Sequence, residues 1–286
     1  MRAALNWKNY ELIDASNGEK LERFGKYVLV RPDPQVIWST EKKSPLWERP
    51  DAIYHRSRSG GGSWEINNLP ESWRIRYGSL VFNLKAFSFK HTGIFPEQAV
   101  NWDLMAEKIK ASGRKPRILN LFAYTGGATI ACARAGAFVT HVDASKGMVS
   151  WAKDNAKATG IAETSTRWIV DDCVKFVKRE IRRENSYDAI IMDPPSYGRG
   201  PGGEVWKIES SLYPLVEMCA RLLSDDPLFF LINSYTTGLS PSVISYMLGA
   251  TVNRAHPGRI FADEIGLPVT SSSLTLPCGA SGMWEA

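Results

Sequence analysis

Three carboxylates stand directly after short apolar runs: Asp143 after Phe138 to Val142, Asp172 shortly after Thr166 to Val170, and Asp193 after Ala189 to Met192. A fourth run, opening at Arg117, leads through Asn120-Leu-Phe-Ala-Tyr-Thr-Gly-Gly127. The adjacent Gly126 and Gly127 permit a sharp turn from strand to helix, where a ligand can approach backbone unobstructed by side chains. At the end of the next strand, an acid such as Asp143 accepts hydrogen bonds from both hydroxyls of a ribose. Asp172 is placed to meet an adenine amine, with the Cys173 amide facing the ring. Three successive strand ends thus describe one nucleoside pocket. A dinucleotide site needs three spaced glycines against a pyrophosphate, and Ala123 to Ala128 supplies only one adjacent pair. Taken singly, the glycines are also a plain turn and Asp143 also a helix cap; their joint order is what favours the pocket.

The fourth strand end reads Ile190-Ile-Met-Asp-Pro-Pro-Ser-Tyr197. Pro194 and Pro195 remove backbone donors and fix φ, giving a rigid loop that aims the Asp193 carboxylate and nearby carbonyls at one spot. A planar amine fits such acceptors, and Tyr197 can stack on a base. The plainer alternative is a turn with a packed aromatic.

The elements that must position these residues follow from periodicity. Strands are expected at about 117–123, 138–142, 166–170, 187–192 and 228–233, with helices near 127–135, 146–158, 173–184, 208–223 and 241–249. Such alternation implies an α/β fold, a parallel sheet covered on both faces, whose strand ends bind the ligand. Residues 1–88 differ in kind. They hold half of the ten tryptophans, the breakers Pro32, Pro34, Pro45 and Pro50, and the run Gly60 to Gly62, and they read as a smaller β-rich domain. Tyr27 to Val30 and Ser79 to Asn83 are expected as strands, and Arg56 to Ser63 as an exposed hairpin. A helix with Pro96 in its first turn leads into the second domain, 89–286.

The 286 residues suit one large and one small domain, and a 44% hydrophobic, 23% charged composition is that of an ordinary globular protein. No apolar run approaches membrane-span length and Met1 to Asn17 resembles no secretory signal, so a cytoplasmic protein without a membrane partner is expected. Cys132, Cys173, Cys219 and Cys278 stand apart from one another and from histidine, which signals neither a metal site nor a disulfide framework. The net charge of +5 tolerates a polyanionic partner without demanding one.

Asn120 to Gly127, Val142-Asp-Ala-Ser145 and Asp193-Pro-Pro-Ser-Tyr197 resemble the class I S-adenosylmethionine (SAM)-dependent methyltransferases. Within that class they resemble the branch of bacterial large-subunit ribosomal RNA enzymes that modify cytosine C5 or guanine N7. Lys90-His-Thr-Gly-Ile-Phe-Pro-Glu-Gln98 resembles the branch's stretch that borders the cofactor, although Ala99 replaces its arginine. The resemblance implies a Rossmann-like, seven-stranded sheet whose last, antiparallel strand lies at Ser271 to Leu276. It also implies a SAM site built from Lys90, Phe95, Gln98, Asn120, Ala123, Tyr124, Thr125, Gly126, Gly127, Asp143, Ala144, Ser145, Asp172, Cys173 and Asp193. Asp193, Pro194, Pro195 and Tyr197 are the expected catalytic set.

Cytosine C5 becomes nucleophilic only after a thiolate adds to C6. The positions after the fourth and fifth strands, Asp193 to Tyr197 and Asn233 to Thr237, hold no cysteine. Guanine N7, whose lone pair lies in the ring plane, or an exocyclic amine is therefore the expected acceptor, in an RNA that is most simply ribosomal. A small-molecule or protein-amide N-methyltransferase, or a SAM-binding RNA module without turnover, would use the same motifs. Two surfaces could hold RNA: a helical stripe of Lys175, Lys178, Arg179 and Arg182, and Arg56, Arg58, Arg74 and Arg76 among Trp64, Trp73 and Tyr77. A solvated helix face and a small β core are the plainer readings of these. The loop Gly198 to Gly203 has the flexibility of a substrate lid.

Overall fold

The computed structural model describes residues 1–57, 61–87, 89–199, 203–236 and 238–286. The chain packs as two compact units, residues 1–100 with 266–278, and residues 101–265 with 279–286. In the first unit, after the short β1 (Arg2–Ala3), a five-stranded sheet runs in sequence order: β2 (Tyr10–Ser16), β3 (Glu19–Phe24), β4 (Tyr27–Pro32), β5 (Ala52–Arg56) and β6 (Gly62–Ile66). Only β4 and β5 pair in parallel. A separate hairpin joins β7 (Trp73–Tyr77) to β8 (Leu80–Leu84). Leu21, Phe24, Leu29, Leu84 and Phe82 are fully enclosed. One charge pair shares that interior: Arg31 donates Nε and Nη2 to Glu22, which also accepts the Tyr10 hydroxyl. Beside this guanidinium the Glu22 carboxyl is held down at about 2 despite its burial.

The second unit carries a larger sheet. Its strands are β9 (Arg117–Leu121), β10 (Phe138–Asp143), β11 (Thr166–Val170), β12 (Ala189–Met192) and β15 (Phe229–Ser234), with the part of β16 (Arg259–Pro268) up to Ile265 and the part of β17 (Thr275–Glu285) from Gly279, in the order β16-β17-β15-β12-β9-β10-β11. From β15 to β11 the pairing is parallel, and β17 runs antiparallel to β15. The order reverses between β9 and β12, the place where open α/β sheets bind ligands. β12 and β15 are buried at every position, as sheets covered on both faces require. The helices are α1 (Ala99–Ala111), α2 (Gly127–Arg134), α3 (Lys146–Thr159), α4 (Cys173–Arg182), α5 (Ile208–Ala220), α6 (Pro241–Ala250) and α7 (Val252–Ala255). This is the Rossmann-like class I sheet with a β-rich N-terminal unit that the sequence implies.

Two details differ from the sequence reading. The antiparallel strand that completes the sheet is not Ser271 to Leu276: the residues facing β15 are Ala280 to Glu285, and Thr270 to Ser273 form a turn. The polar Thr270 to Ser273 turn hid the apolar Gly282-Met283-Trp284 that carries the register. Packing also places 89–100 and 266–278 with the first unit. Thr270 and Ser271 donate backbone N–H groups to Leu12 and Ile13, and the Ser271 hydroxyl bonds Asp14. A turn that returns from so far along the chain leaves no mark on local composition.

Candidate active site

The turn after β9 is held in an unusual backbone shape. Phe122 and Tyr124 adopt left-handed conformations, φ 54° and 51°, and Gly126 follows at 83°. For the two residues with side chains this costs roughly 1–2 kcal/mol each, so surrounding bonds must impose it. Asp143 at the end of β10 supplies one, its Oδ2 accepting the Tyr124 N–H at 2.8 Å, while Oδ1 accepts the Ser145 N–H at 2.8 Å. Asn155 of α3 donates Nδ2 to the Thr125 carbonyl, and Ala123 donates to Val142. The two glycines are required by close packing. A Cβ on Gly126 would lie 2.9 Å from the Ala152 Cβ, and one on Gly127 would lie 2.8 Å from the Trp102 ring.

Two consequences suit a nucleoside bearing an amino-acid tail. Each Asp143 oxygen receives one amide and keeps a lone pair for a hydroxyl donor, and the carboxylate is half-buried, its pKa raised by that burial against the pull of the two amides. Gly126 caps α2 without any side-chain bond, so the first-turn amides of α2 are available to a carboxylate. Ala144 lies beside Asp143, half-buried. Ser145 caps α3 through its hydroxyl, and Asp172 caps α4 by accepting the Lys175 N–H at 2.8 Å. Cys173 is enclosed, its sulfur accepting the Phe122 N–H at 3.3 Å, and burial raises its thiol pKa well above the ordinary range. Asn120 does not face the turn's outer side: it is buried and donates to the Thr129 hydroxyl, which in turn meets His141 Nδ1 at 2.9 Å. This polar column lies beneath the turn, since a Cβ on Gly126 would approach the His141 ring to 3.7 Å.

The loop after β12 is tied at several points. Trp206 donates Nε1 to the Pro195 carbonyl at 2.6 Å, Ile208 donates its N–H to the Ser196 carbonyl, and the Ser196 and Thr236 hydroxyls meet at 2.5 Å. Asp193 is half-buried, Pro194 buried and Pro195 exposed, and Tyr197 is 53% exposed. Tyr197 opens β13 (Tyr197–Arg199), which pairs with β14 (Val205–Lys207), so the flanks of the expected Gly198 to Gly203 lid form a two-stranded ribbon. Residues 200–202 of that lid lie outside the described residues. Trp206 also packs on Phe122 with ring centroids 4.9 Å apart, joining the first and fourth strand-end loops. The sequence reading passed over Trp206, Phe122 and Thr236; a lone tryptophan between a glycine-rich loop and an amphipathic helix was the available signal.

These geometries gather Ala123 to Gly127, Asp143, Asp172, Cys173 and Asp193 to Tyr197 at the carboxyl ends of adjacent parallel strands. The pattern of the S-adenosylmethionine-dependent methyltransferase family matches residues 42–218. The chain belongs to that family. A crystal structure of the SAM-dependent methyltransferase from Agrobacterium tumefaciens is 33% identical with a TM-score of 0.92, covering 99% of this chain and 92% of that one. A protein from Streptococcus mutans shares the fold at 18% identity and a TM-score of 0.72, over 98% of this chain and 76% of its own. The proteins named ribosomal RNA large subunit methyltransferase K/L are also similar. That of Pseudoalteromonas translucida is 31% identical over 145 residues and that of Shewanella baltica 36% over 150, or 50% and 52% of this chain. The chain spans about a fifth (20%) of the length of these curated relatives.

Three residues of the expected cofactor set lie in the first unit of this methyltransferase. Lys90 donates Nζ to the Pro32 carbonyl and its own carbonyl accepts from Arg31, with burial lowering the ammonium pKa. Phe95 packs on His91 at 5.1 Å, and Gln98 is buried, its N–H bonded to the Phe95 carbonyl. Among the described residues no cluster of His, Cys, Asp or Glu is arranged to hold a metal, and no helix is long and apolar enough to cross a membrane.

Proposed function

We propose that this methyltransferase transfers the methyl group of SAM to a nitrogen of an RNA base, guanine N7 or an exocyclic amine, in ribosomal RNA. SAM supplies an electrophilic methyl on a sulfonium, so the protein's task is alignment and exclusion of water. In this reading Asp143 holds the ribose, the first-turn amides of α2 hold the amino-acid carboxylate, Asp172 and Cys173 border the adenine, and Asp193 accepts from the base. Tyr197 stacks on that base.

The observation that carries the choice of nitrogen is the state of the loop after β12. It is braced by Trp206 and Thr236 and offers a carboxylate and an exposed aromatic, yet no thiol. The four cysteines serve other ends: Cys132 and Cys219 are enclosed in α2 and α5, Cys173 is buried against Phe122, and Cys278 belongs to the first unit. Burial raises the pKa of each, the opposite of what a nucleophilic thiolate needs. The RNA substrate is supported by the likeness to the large-subunit enzymes over half of this chain. The experiment is to incubate tritiated SAM with total RNA, ribosomal subunits and a protein extract, then digest the labelled fraction and identify the nucleoside by mass spectrometry. Methyl on guanine N7 or an amino group is expected. 5-Methylcytidine overturns the choice of atom, and label in protein or a metabolite overturns the choice of RNA.

A further inference from the structure

Four cations of the first unit are brought to one strand edge by contacts that their sequence positions do not announce. In β7 Arg74 and Arg76 are exposed while Trp73, Ile75 and Tyr77 are buried, so the two guanidinium groups share a face about 7 Å apart along the strand. Asn9 accepts the Arg76 N–H on Oδ1 at 3.1 Å, and its own carbonyl accepts the Gly25 N–H at 2.8 Å. Gly25 in turn lies against the hairpin, the position of its absent Cβ being 3.6 Å from the Ile75 side chain and 3.8 Å from the Arg74 carbonyl. Lys8 and Lys26, the exposed chain neighbours of Asn9 and Gly25, therefore lie along the edge of the strand that carries the arginine pair.

No carboxylate pairs with any of the four among the described residues. Arg74 bonds only the neutral Asn83, and the Lys26 ammonium lies over the Tyr27 ring. The nearby Glu11 is taken by Arg23. The basic stripe on α4 is different, because Lys175 pairs with Glu204 and Arg179 with Asp171, which leaves Lys178 and Arg182. Trp73 and Tyr77 are core residues and offer no base a stacking surface.

We infer that Lys8, Lys26, Arg74 and Arg76 form a docking face for the phosphodiester backbone of the RNA substrate, one that positions RNA without reading its sequence. The inference rests on the RNA reading proposed above. Unpaired, exposed cations facing a polyanion release condensed counterions on binding, so the face should register in salt dependence rather than in base preference.

The test is binding of the full-length protein to ribosomal RNA fragments across a salt series, comparing wild type with the K8Q/K26Q/R74Q/R76Q variant. At about 0.7 logarithmic units per phosphate contact on a single strand, the slope of log affinity against log salt should fall by roughly 2–3 units. Affinity at low salt should fall at least about tenfold, while SAM affinity by calorimetry stays unchanged and reports an intact second unit. R74K/R76K, which keeps the charge, should keep the slope, and K178Q/R182Q on α4 should barely alter it. An unchanged slope in the quadruple variant, with wild-type RNA binding intact, overturns the docking face alone. Wild-type protein that neither binds nor methylates RNA overturns the RNA reading and this inference with it. Four-cation-dependent binding to anionic lipid vesicles without RNA binding assigns the face to a membrane and likewise overturns it.

Discussion

Replacing Asp143 by alanine tests the proposed cofactor pocket at its centre. In the native protein the carboxylate accepts the Tyr124 and Ser145 amides, both at 2.8 Å, and is assigned the two ribose hydroxyls of SAM. Bonds to a charged acceptor are worth about 1.5–3 kcal/mol each, but water replaces part of what is lost at a half-buried position. A net loss of roughly 1–3 kcal/mol follows, a SAM affinity lower by about 5- to 150-fold. The demethylated product should lose the same factor, because the change is remote from the methyl group. Freed from Asp143, Tyr124 loses part of what holds it at φ 51°, so a stability loss of about 1–2 kcal/mol should accompany the weaker binding. Titration calorimetry of both ligands, paired with thermal unfolding, separates the two effects. Because burial raises the Asp143 pKa, the wild-type affinity should decline on acidification at a higher pH than an ordinary aspartate would cause, and the alanine variant should lack that decline. An alanine variant that binds SAM within twofold of wild type would refute the assignment.

Asp193→Ala should slow methyl transfer about 100-fold or more with SAM affinity nearly unchanged, whereas Tyr197→Ala should chiefly weaken RNA binding, by the roughly 1–3 kcal/mol of one base–aromatic stack; single-turnover rates and equilibrium binding separate the two. A variant with all four cysteines replaced by alanine or serine should retain methyl transfer within about tenfold, and RNA containing 5-fluorocytosine should not trap the wild type covalently. Gly127→Ala drives a Cβ to 2.8 Å from the buried Trp102 ring and should lower stability by about 1–3 kcal/mol in thermal melts; an unshifted melt shows that Trp102 yields. His141, fully buried, has its pKa pushed down to about 3. Its unfolded form takes a proton first as pH falls through 6.5, so stability is lost between about 6.5 and 3, at about 1.4 kcal/mol per pH unit. His141→Asn should remove one proton from that slope in urea titrations at pH 6 and pH 4.5.

The sheet of the second unit was legible because its evidence is local. β12 is a continuous apolar run followed by Asp193, β15 is an apolar run that ends in Asn233 and Ser234, and Ser145 and Asp172 announce the helices that they cap. The first unit was less so, for its order rests on partners far apart in sequence. Arg31 meets Glu22 and the Lys90 carbonyl, and Trp7 donates to the Pro96 carbonyl across 89 residues. No period in the chain encodes such pairings. The aromatic richness of residues 1–88 was compatible with either a stacking surface or a core, and only burial decides: Trp73 and Tyr77 are core. The site divides the same way. Gly126, Gly127 and Asp143 were legible from spacing, whereas Trp206 joins two loops that are distant in sequence.

That joining bears on how the two halves of the proposed site act together. Phe122 belongs to the loop assigned to the cofactor, Pro195 to the loop assigned to the base, and Trp206 touches both. The tryptophan comes from β14, whose partner β13 begins at Tyr197. Any shift of the ribbon that accommodates a base therefore reaches Phe122, a residue already held in a costly left-handed conformation and bonded through its N–H to the Cys173 sulfur. Methyl transfer from a sulfonium to an in-plane nitrogen lone pair needs no proton removed by the protein before attack, so rate depends on the relative placement of donor and acceptor. In such a reaction a brace between the two loops matters more than a general base. The residues that brace the two loops fit that demand: prolines, a tryptophan wedge and strained turns.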